Sequence, residues 1–282
     1  MKKISLLITI MALSLAASAQ TVYVNETFDT DTIGIAPTDS SLKTTNLVTV
    51  QAGSGLMGTD NLLRFNDNSA SAGGAVEYNV GASAVGSLYA SFNLFNNAHS
   101  GTGSGTNPII FGVGAWNTGT GILLNANASR NFGLEFSANG TTSTLKLRIG
   151  GSAAYTTTYA PASVQSVQIW VNDHNTNTLT YTRPDNYQSA TLAANSVVVY
   201  INNVLTGSSA SGYTIQTLGD GSDATMGRVG FNTSSSNLAD FLIDDIYIAS
   251  AAPIPEPSTY AAIAGLAALG LCVWQRRRTR QA

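Results

Sequence analysis

At 282 residues and 44% hydrophobic, the chain can bury a sizeable core, yet only 10% of it is charged, far below the ~25% of ordinary soluble domains. Six of the 13 basic residues (Lys2, Lys3, Arg276, Arg277, Arg278 and Arg280) lie near the termini, leaving seven basic against 15 acidic residues between positions 20 and 252. A stretch carrying about −8 repels phosphate backbones, which argues against a nucleic-acid partner.

The chain opens on a charged pair, Lys2-Lys3, followed by an apolar run from Ile4 to Leu15. Ala17-Ser18-Ala19 then supplies small residues at the spacing signal peptidase cuts, which makes Gln20 the first mature residue. The apolar run is shorter than the ~20 residues a membrane span needs, so residues 1–19 read as a cleaved signal peptide and not as an anchor.

Residues 20–250 read as one all-β ectodomain. Ser87 to Phe95 alternates, with Leu88, Ala90, Phe92 and Leu94 on one face and Ser91 and Asn93 on the other. Leu145, Leu147 and Ile149 oppose Thr144, Lys146 and Arg148. Val167, Ile169 and Val171 oppose Gln168 and Asn172, with Trp170 on the outward side. Asn131 to Phe136, Asn195 to Ile201 and Phe241 to Ile248 are further strand-like runs. Period-2 alternation means one dry face and one wet face, as in antiparallel sheets. Asn139-Gly140, Gly150-Gly151, Asn202-Asn203 and Asp220-Gly221 supply turn chemistry, and no stretch has helical periodicity. With Cys272 the only cysteine, and outside this region, the domain has no disulfide and must rely on its core. Many short strands over this length predict a two-sheet sandwich of jelly-roll type. The opening Asn25-Glu26-Thr27-Phe28-Asp29 and the closing Phe241-Leu242-Ile243-Asp244-Asp245-Ile246-Tyr247-Ile248 resemble the first and last strands of concanavalin A-like and laminin-G-like domains. That resemblance implies a lectin-type ectodomain.

Catalytic signatures are missing. Glycoside hydrolysis needs two carboxylates roughly 5–10 Å apart, and the ectodomain has only Glu26, Glu77 and Glu135, none in a Glu-x-Asp-x-Glu or Glu-x-Asp-x-x-Glu pattern. Glu135 reads as a solvent-facing strand residue. His99 and His174 sit in Asn/Gly-rich contexts with no Gly-x-Ser-x-Gly elbow. The expectation is therefore a protein that is not an enzyme and requires no cofactor. On strict alternation Asp244 falls with Leu242, Ile246 and Ile248, while Asp245 falls with Phe241, Ile243 and Tyr247. One carboxylate must then approach an apolar environment, where an unpaired charge is costly. A structural Ca²⁺ shared with Glu26 or Asp29 would offset that cost; hydrogen bonds to backbone N–H groups, or a pairing with Arg228, are the alternatives. For ligand binding the useful residues are aromatic. Sugar rings stack on flat aromatic faces while polar groups bond the hydroxyls. Trp116, Trp170 and Tyr181, flanked by Asn, Asp and Thr, are the candidates, with core packing as the other reading of each tryptophan.

The chain ends on three short segments. Residues 251–259 form a Pro-rich linker, Pro253-Ile254-Pro255-Glu256-Pro257-Ser258-Thr259, held extended because each proline fixes φ and biases its predecessor away from helix. Residues 260–275 carry an apolar run, Tyr260 to Trp274, read as a short helix; fifteen residues at ~1.5 Å rise give roughly 22 Å, marginal for a bilayer. Residues 276–282 are a basic tail whose Arg276, Arg277 and Arg278 favour the cytoplasmic side, placing the β domain outside. The Pro255-Glu256-Pro257 triplet, the short apolar helix and the arginine block resemble the PEP-CTERM sorting signal. That resemblance implies export, transient residence in the inner membrane through the C-terminal helix, and transfer by an exosortase-type enzyme to the cell surface or extracellular matrix. Three functions compete for the ectodomain: non-catalytic binding of an extracellular polysaccharide, a purely structural or adhesive role, and polysaccharide processing.

Overall fold

Alternation of apolar and polar residues builds two antiparallel sheets and buries the apolar side of each against the other. The computed structural model describes residues 20–38, 43–44, 47–53, 55–68, 73–81, 85–97, 108–114, 130–139, 142–149, 152–160, 162–208, 226–233 and 239–251. The segments read as signal peptide (1–19), sorting signal and tail lie outside them, as do Trp116, His99 and Asp220-Gly221-Ser222-Asp223. Residues Thr21–Ala251 form one compact unit. A 3-10 turn spans Gly55–Met57, and among the described residues no helix is long and apolar enough to cross a membrane.

One sheet has eight strands. Its path runs β15 (Val204–Ser208), β14 (Ser196–Ile201), β11 (Gln165–Asn172), β6 (Ser87–Asn96), β17 (Ala239–Ala249), β4 (Asn61–Asp67) and β3 (Val48–Ala52), with β1 (Val22–Glu26) also paired to β17. The other has seven: β10 (Ser152–Tyr159), β9 (Thr142–Ile149), β8 (Arg130–Asn139), β7 (Ile109–Gly114), β16 (Arg228–Thr233), β5 (Ala75–Asn79) and β2 (Lys43–Thr44). A two-stranded hairpin, β12 (Leu179–Thr182) with β13 (Ser189–Leu192), stands apart from both.

The sheets are joined by aromatic packing. Phe92 of β6 reaches across the core to Phe111 and Phe231, with ring centroids 5.0 and 4.8 Å apart, and meets Phe136 edge-on at 6.4 Å. All four rings are fully or almost fully buried. Each such side chain contributes roughly 1.5–3 kcal/mol by leaving water. Asn202 and Asn203 connect β14 to β15 with positive φ at both positions (52° and 61°), the backbone of a two-residue type I′ hairpin that asparagine tolerates.

Strict alternation fails on β17. The pairing of β17 with β6 slips between Asp244 and Tyr247, and Asp245 adopts φ 53°. This bulge turns Phe241, Ile243, Ile246 and Ile248 all into the core and leaves Asp245 exposed, so the expected placing of Asp245 with the core side chains Phe241 and Ile243 is corrected. Asp244 is buried, but not among the core residues Ile246 and Ile248. Its Oδ1 accepts the Asp245 N–H at 2.8 Å, and the Asp245 carboxylate accepts a bond from the Asn93 amide at 2.8 Å. Arg228 pairs with Glu77, not with either aspartate.

Candidate functional site

The outward face of the eight-stranded sheet carries a row of aromatic rings. On β6, Tyr89 falls on the face opposite Leu88 and Ala90. On β11 it meets Trp170 directly across the ladder, with ring centroids 4.8 Å apart. The row continues from Tyr89 to Tyr247 of β17 at 6.1 Å, and from Trp170 to Tyr200 of β14 at 5.9 Å. Four neighbouring strands thus hold four outward rings in one chain of contacts, Trp170 and Tyr89 directly opposed and Tyr200 and Tyr247 each two residues along the ladder from them.

The hairpin β12–β13 folds over one end of this row. Tyr181 lies against Trp170 at 5.0 Å, and Leu179, Leu192, Val198 and Ala251 complete a second, smaller core on the outer side of the sheet. Asn172 pins the hairpin base, since its side-chain amide reaches the carbonyls of Asn177 (2.8 Å), Leu192 (3.2 Å) and Ala193 (2.9 Å). Trp170 and Tyr181, the two described residues expected to stack on sugar, are therefore brought together, but at 9% and 8% exposure. Trp170 faces outward from the sheet, and its ring is occupied by Tyr89, Tyr181 and Tyr200. The rings left half-buried, and hence approachable, are Tyr89 and Tyr247.

Beyond the covered rings a concavity of about 250 Å³ opens between the hairpin and the edge of the sheet, lined by Tyr181, Arg183, Thr191, Ser196, Tyr200 and Leu205 among others. The Tyr181 and Tyr200 hydroxyls stand 3.2 Å apart at its wall. Burial pushes the Tyr181 hydroxyl far above its ordinary ionisation range, with Tyr200 adding to the effect, so it stays a neutral donor at any ordinary pH. Arg183 is held in a forked pair with Asp185, at 3.0 and 2.5 Å, which raises the guanidinium and lowers the carboxyl. The hairpin tip presents Tyr187 at 77% exposure and φ 58°. Apolar walls with hydroxyls and one fixed guanidinium suit a neutral polyol more than a hydrocarbon.

The carboxylates considered for metal are each engaged by the protein. Glu26 accepts the Phe28 N–H at 2.8 Å and Asp29 accepts the Asn61 N–H at 3.2 Å, while Asp244 and Asp245 are bonded as above. Among the described residues no group of three or more His, Cys, Asp or Glu side chains stands together in a way that could hold a metal ion. Asp244 keeps one unusual property. Burial, with Asp245, Asp29 and Asp60 nearby, lifts its carboxyl from 3.8 to about 7.

Glu77 is fully buried in an ion pair with Arg228 at 3.0 Å. Glu135 lies on the outward face of its sheet as expected, but is covered by Lys146 (3.1 Å) and Arg148. Burial works to raise its carboxyl, and the bonds from Arg148 and Lys146 outweigh it, so the net direction is down. His174 is half-buried, with its ring packed against Gly86.

Tyr89, Tyr200 and Tyr247 are the site residues the sequence reading passed over. For Tyr89 the signal was present, since the alternation of Ser87 to Phe95 that places Ser91 and Asn93 outward places Tyr89 with them. Tyr200 lies in the run Val197-Val198-Val199-Tyr200, apolar on both faces, which marks a strand covered on both sides.

No family model and no curated protein matches this sequence. Among solved structures, a conserved carbohydrate esterase from the Shiga toxin-encoding bacteriophage phi24B is similar over 82% of this chain and 99% of its own, at 10% identity and a TM-score of 0.50. The carbohydrate recognition domain of Emp47p is similar over 82% of this chain and 96% of its own, at 10% identity and a TM-score of 0.46. What the chain shares with the bacteriophage protein is its fold, an all-β sandwich of antiparallel sheets.

Proposed function

We propose that this is an exported surface or matrix protein whose sandwich, a jelly roll of concanavalin A-like type, binds an extracellular polysaccharide without processing it. The observation that carries the reading is the aromatic row. Tyr247 and Tyr89 offer two approachable rings that lead to Trp170 and Tyr200, and hydroxyl-lined space lies beyond the hairpin. Pyranose rings stack on such faces while Gln168, Asn93 and Ser91 on the same outward face supply hydrogen bonds. The bonds from Arg148 and Lys146 that lower the Glu135 carboxyl support binding over hydrolysis at that residue, since a general acid needs a carboxyl held protonated. The bacteriophage protein that shares the fold is a carbohydrate esterase, an analogy of fold and nothing more.

The sorting part of the proposal rests on sequence. The segment around Pro255-Glu256-Pro257 and the block Arg276-Arg277-Arg278 are the features an exosortase-type enzyme would read after signal peptidase has released residues 1–19. Mass spectrometry of protein recovered from the host tests this: a mature N-terminus at Gln20 and a C-terminus near Pro257 support it, and a chain with both ends intact refutes it.

A second reading has one group in its favour. Asp244, lifted to about 7 beside Asp29 and Asp60, has the protonation a polysaccharide-processing enzyme wants of its acid. Turnover of a polysaccharide, lost in Asp244→Asn with folding intact, would promote it. The test of the main reading is a glycan array probed with the purified protein, on which Tyr89→Ala and Tyr247→Ala abolish a signal that the unaltered protein gives.

A further inference from the structure

The aromatic row is walled at one end. Trp170 stands directly opposite Tyr89 on one side and Val198 on the other. Tyr181 of the hairpin lies against the Trp170 ring at 5.0 Å, where a sugar would have to stack, and Tyr200 closes in edge-on at 5.9 Å. Trp170 is thereby left 9% exposed, while its neighbour Tyr89, at 4.8 Å, stays half-buried. In this direction Tyr89 is the last approachable ring, and the next step runs into the flank of the hairpin.

The wall is fixed in place. Leu179 and Leu192 face each other across the hairpin and are buried in the second core with Val198. Asn172 ties down the hairpin base, and the tip is closed by the Arg183 N–H on the Gln188 carbonyl and the Tyr187 N–H on the Arg183 carbonyl, both at 2.9 Å. Lifting the hairpin returns two leucines and a tyrosine to water, a cost that one stacked sugar does not outweigh. The other direction is different. Tyr247 lies 6.1 Å from Tyr89, and across the following ladder it faces Asn25 of β1, a short exposed side chain with an amide to offer. Neighbouring strands are ~4.8 Å apart, close to the length of one sugar in an extended chain. The two approachable rings therefore match two consecutive sugars.

Resting on the reading of this row as a carbohydrate site, we propose that it captures the end of a glycan chain and rejects the interior. The terminal sugar stacks on Tyr89 with its outer edge against Trp170 and Tyr181, and the sugar before it lies on Tyr247. Gln168, two positions from Trp170 on the same face, accepts the Tyr89 hydroxyl at 3.4 Å and stands within reach of the terminal ring. A chain that continued past Tyr89 would have to pass through the hairpin. Interior and terminal sugars make the same stacking contacts, so that clash is what separates them.

The probes are cello-, laminari-, manno- and malto-oligosaccharides of two, four and six units, titrated by calorimetry into the purified full chain. In the series that binds, affinities are expected to agree within threefold from two units to six. A rise of tenfold or more over that range shows a groove that runs past Tyr89; it overturns the proposal and leaves the carbohydrate reading standing. Binding in none of the series removes both. Two modified six-unit probes add a second measurement, one with its reducing sugar reduced and one with a methyl group on the linking hydroxyl of its non-reducing sugar. One of the two is expected to lose tenfold or more, because one end alone meets the wall; undiminished affinity of both overturns the proposal. Tyr181→Ala takes the wall away, and a folded variant should bind six units at least fivefold better than two. An unchanged length profile in that variant counts against the wall, and if it melts early the two measurements on the unaltered chain still decide.

Discussion

Replacing Glu77 by Gln removes the counter-charge of a guanidinium with no access to water. Arg228 and Glu77 sit on adjacent strands, β16 and β5, both at 0% exposure, with Nη1 3.0 Å from Oε2. Coulomb's law at that separation and an effective dielectric of about 20 gives roughly 5 kcal/mol, in line with the 3–5 kcal/mol typical when one partner of a buried pair is lost. For a domain of this size about 1 kcal/mol corresponds to about 2–4 °C, so Glu77→Gln is expected to lower Tm by about 10 °C. Thermal melts and urea denaturation followed by circular dichroism measure it. Asp240→Asn is the internal comparison, because its pair with Arg64 is partly exposed and worth under ~1 kcal/mol. A loss below about 1 kcal/mol in Glu77→Gln would refute the reasoning, and with it the assignment of this glutamate to the frame of the sheet rather than to chemistry.

Three further outcomes follow from the same geometry. Asp244 has a folded-state value near 7 against an ordinary 3.8, so the folded chain holds the extra proton between those values. Stability should therefore fall as pH rises from about 4 to 7, by at most about 4 kcal/mol; Asp244→Asn should flatten that slope and stabilise the protein at pH 8, and an unchanged slope in urea melts would contradict the assignment. Trp170→Ala should cost about 3–5 kcal/mol, since it empties the centre of the second core, whereas Tyr247→Ala on the approachable end should cost much less; equal losses would mean the row has no open end. Asp245→Val forces a β-branched residue into φ 53° and should cost about 1–2 kcal/mol, while Asp245→Gly should be tolerated; the reverse order in melting would speak against the bulge.

Much of this fold is legible in the chain because alternation is local. Ser87 to Phe95, Leu145 to Ile149 and Val167 to Val171 each declare their dry face, and those faces meet in the core around Phe92. What is not legible depends on partners remote in sequence. Asp244-Asp245 looks like a break in alternation, but only the slip of β17 against β6 shows that the break is a bulge that returns Ile246 to the core. Trp170 reads as outward, and that is where it points, yet its burial depends on a hairpin that begins at Leu179 and joins neither large sheet. Glu135 reads as solvent-facing because Lys146 and Arg148 become its neighbours only when β9 folds back beside it. The aromatic row is likewise invisible one strand at a time, since Tyr89, Trp170, Tyr200 and Tyr247 come from positions up to 158 apart and are aligned only by register.

The central claim is that the outer face of the eight-stranded sheet holds a polysaccharide on Tyr89 and Tyr247. Calorimetric titration of the purified chain with the best glycan from an array tests it directly, alongside Tyr89→Ala and Tyr247→Ala proteins that melt within a few degrees of the original. A tenfold or greater loss of affinity in both variants is the predicted result. Undiminished affinity, or no saturable binding to any glycan, would contradict it.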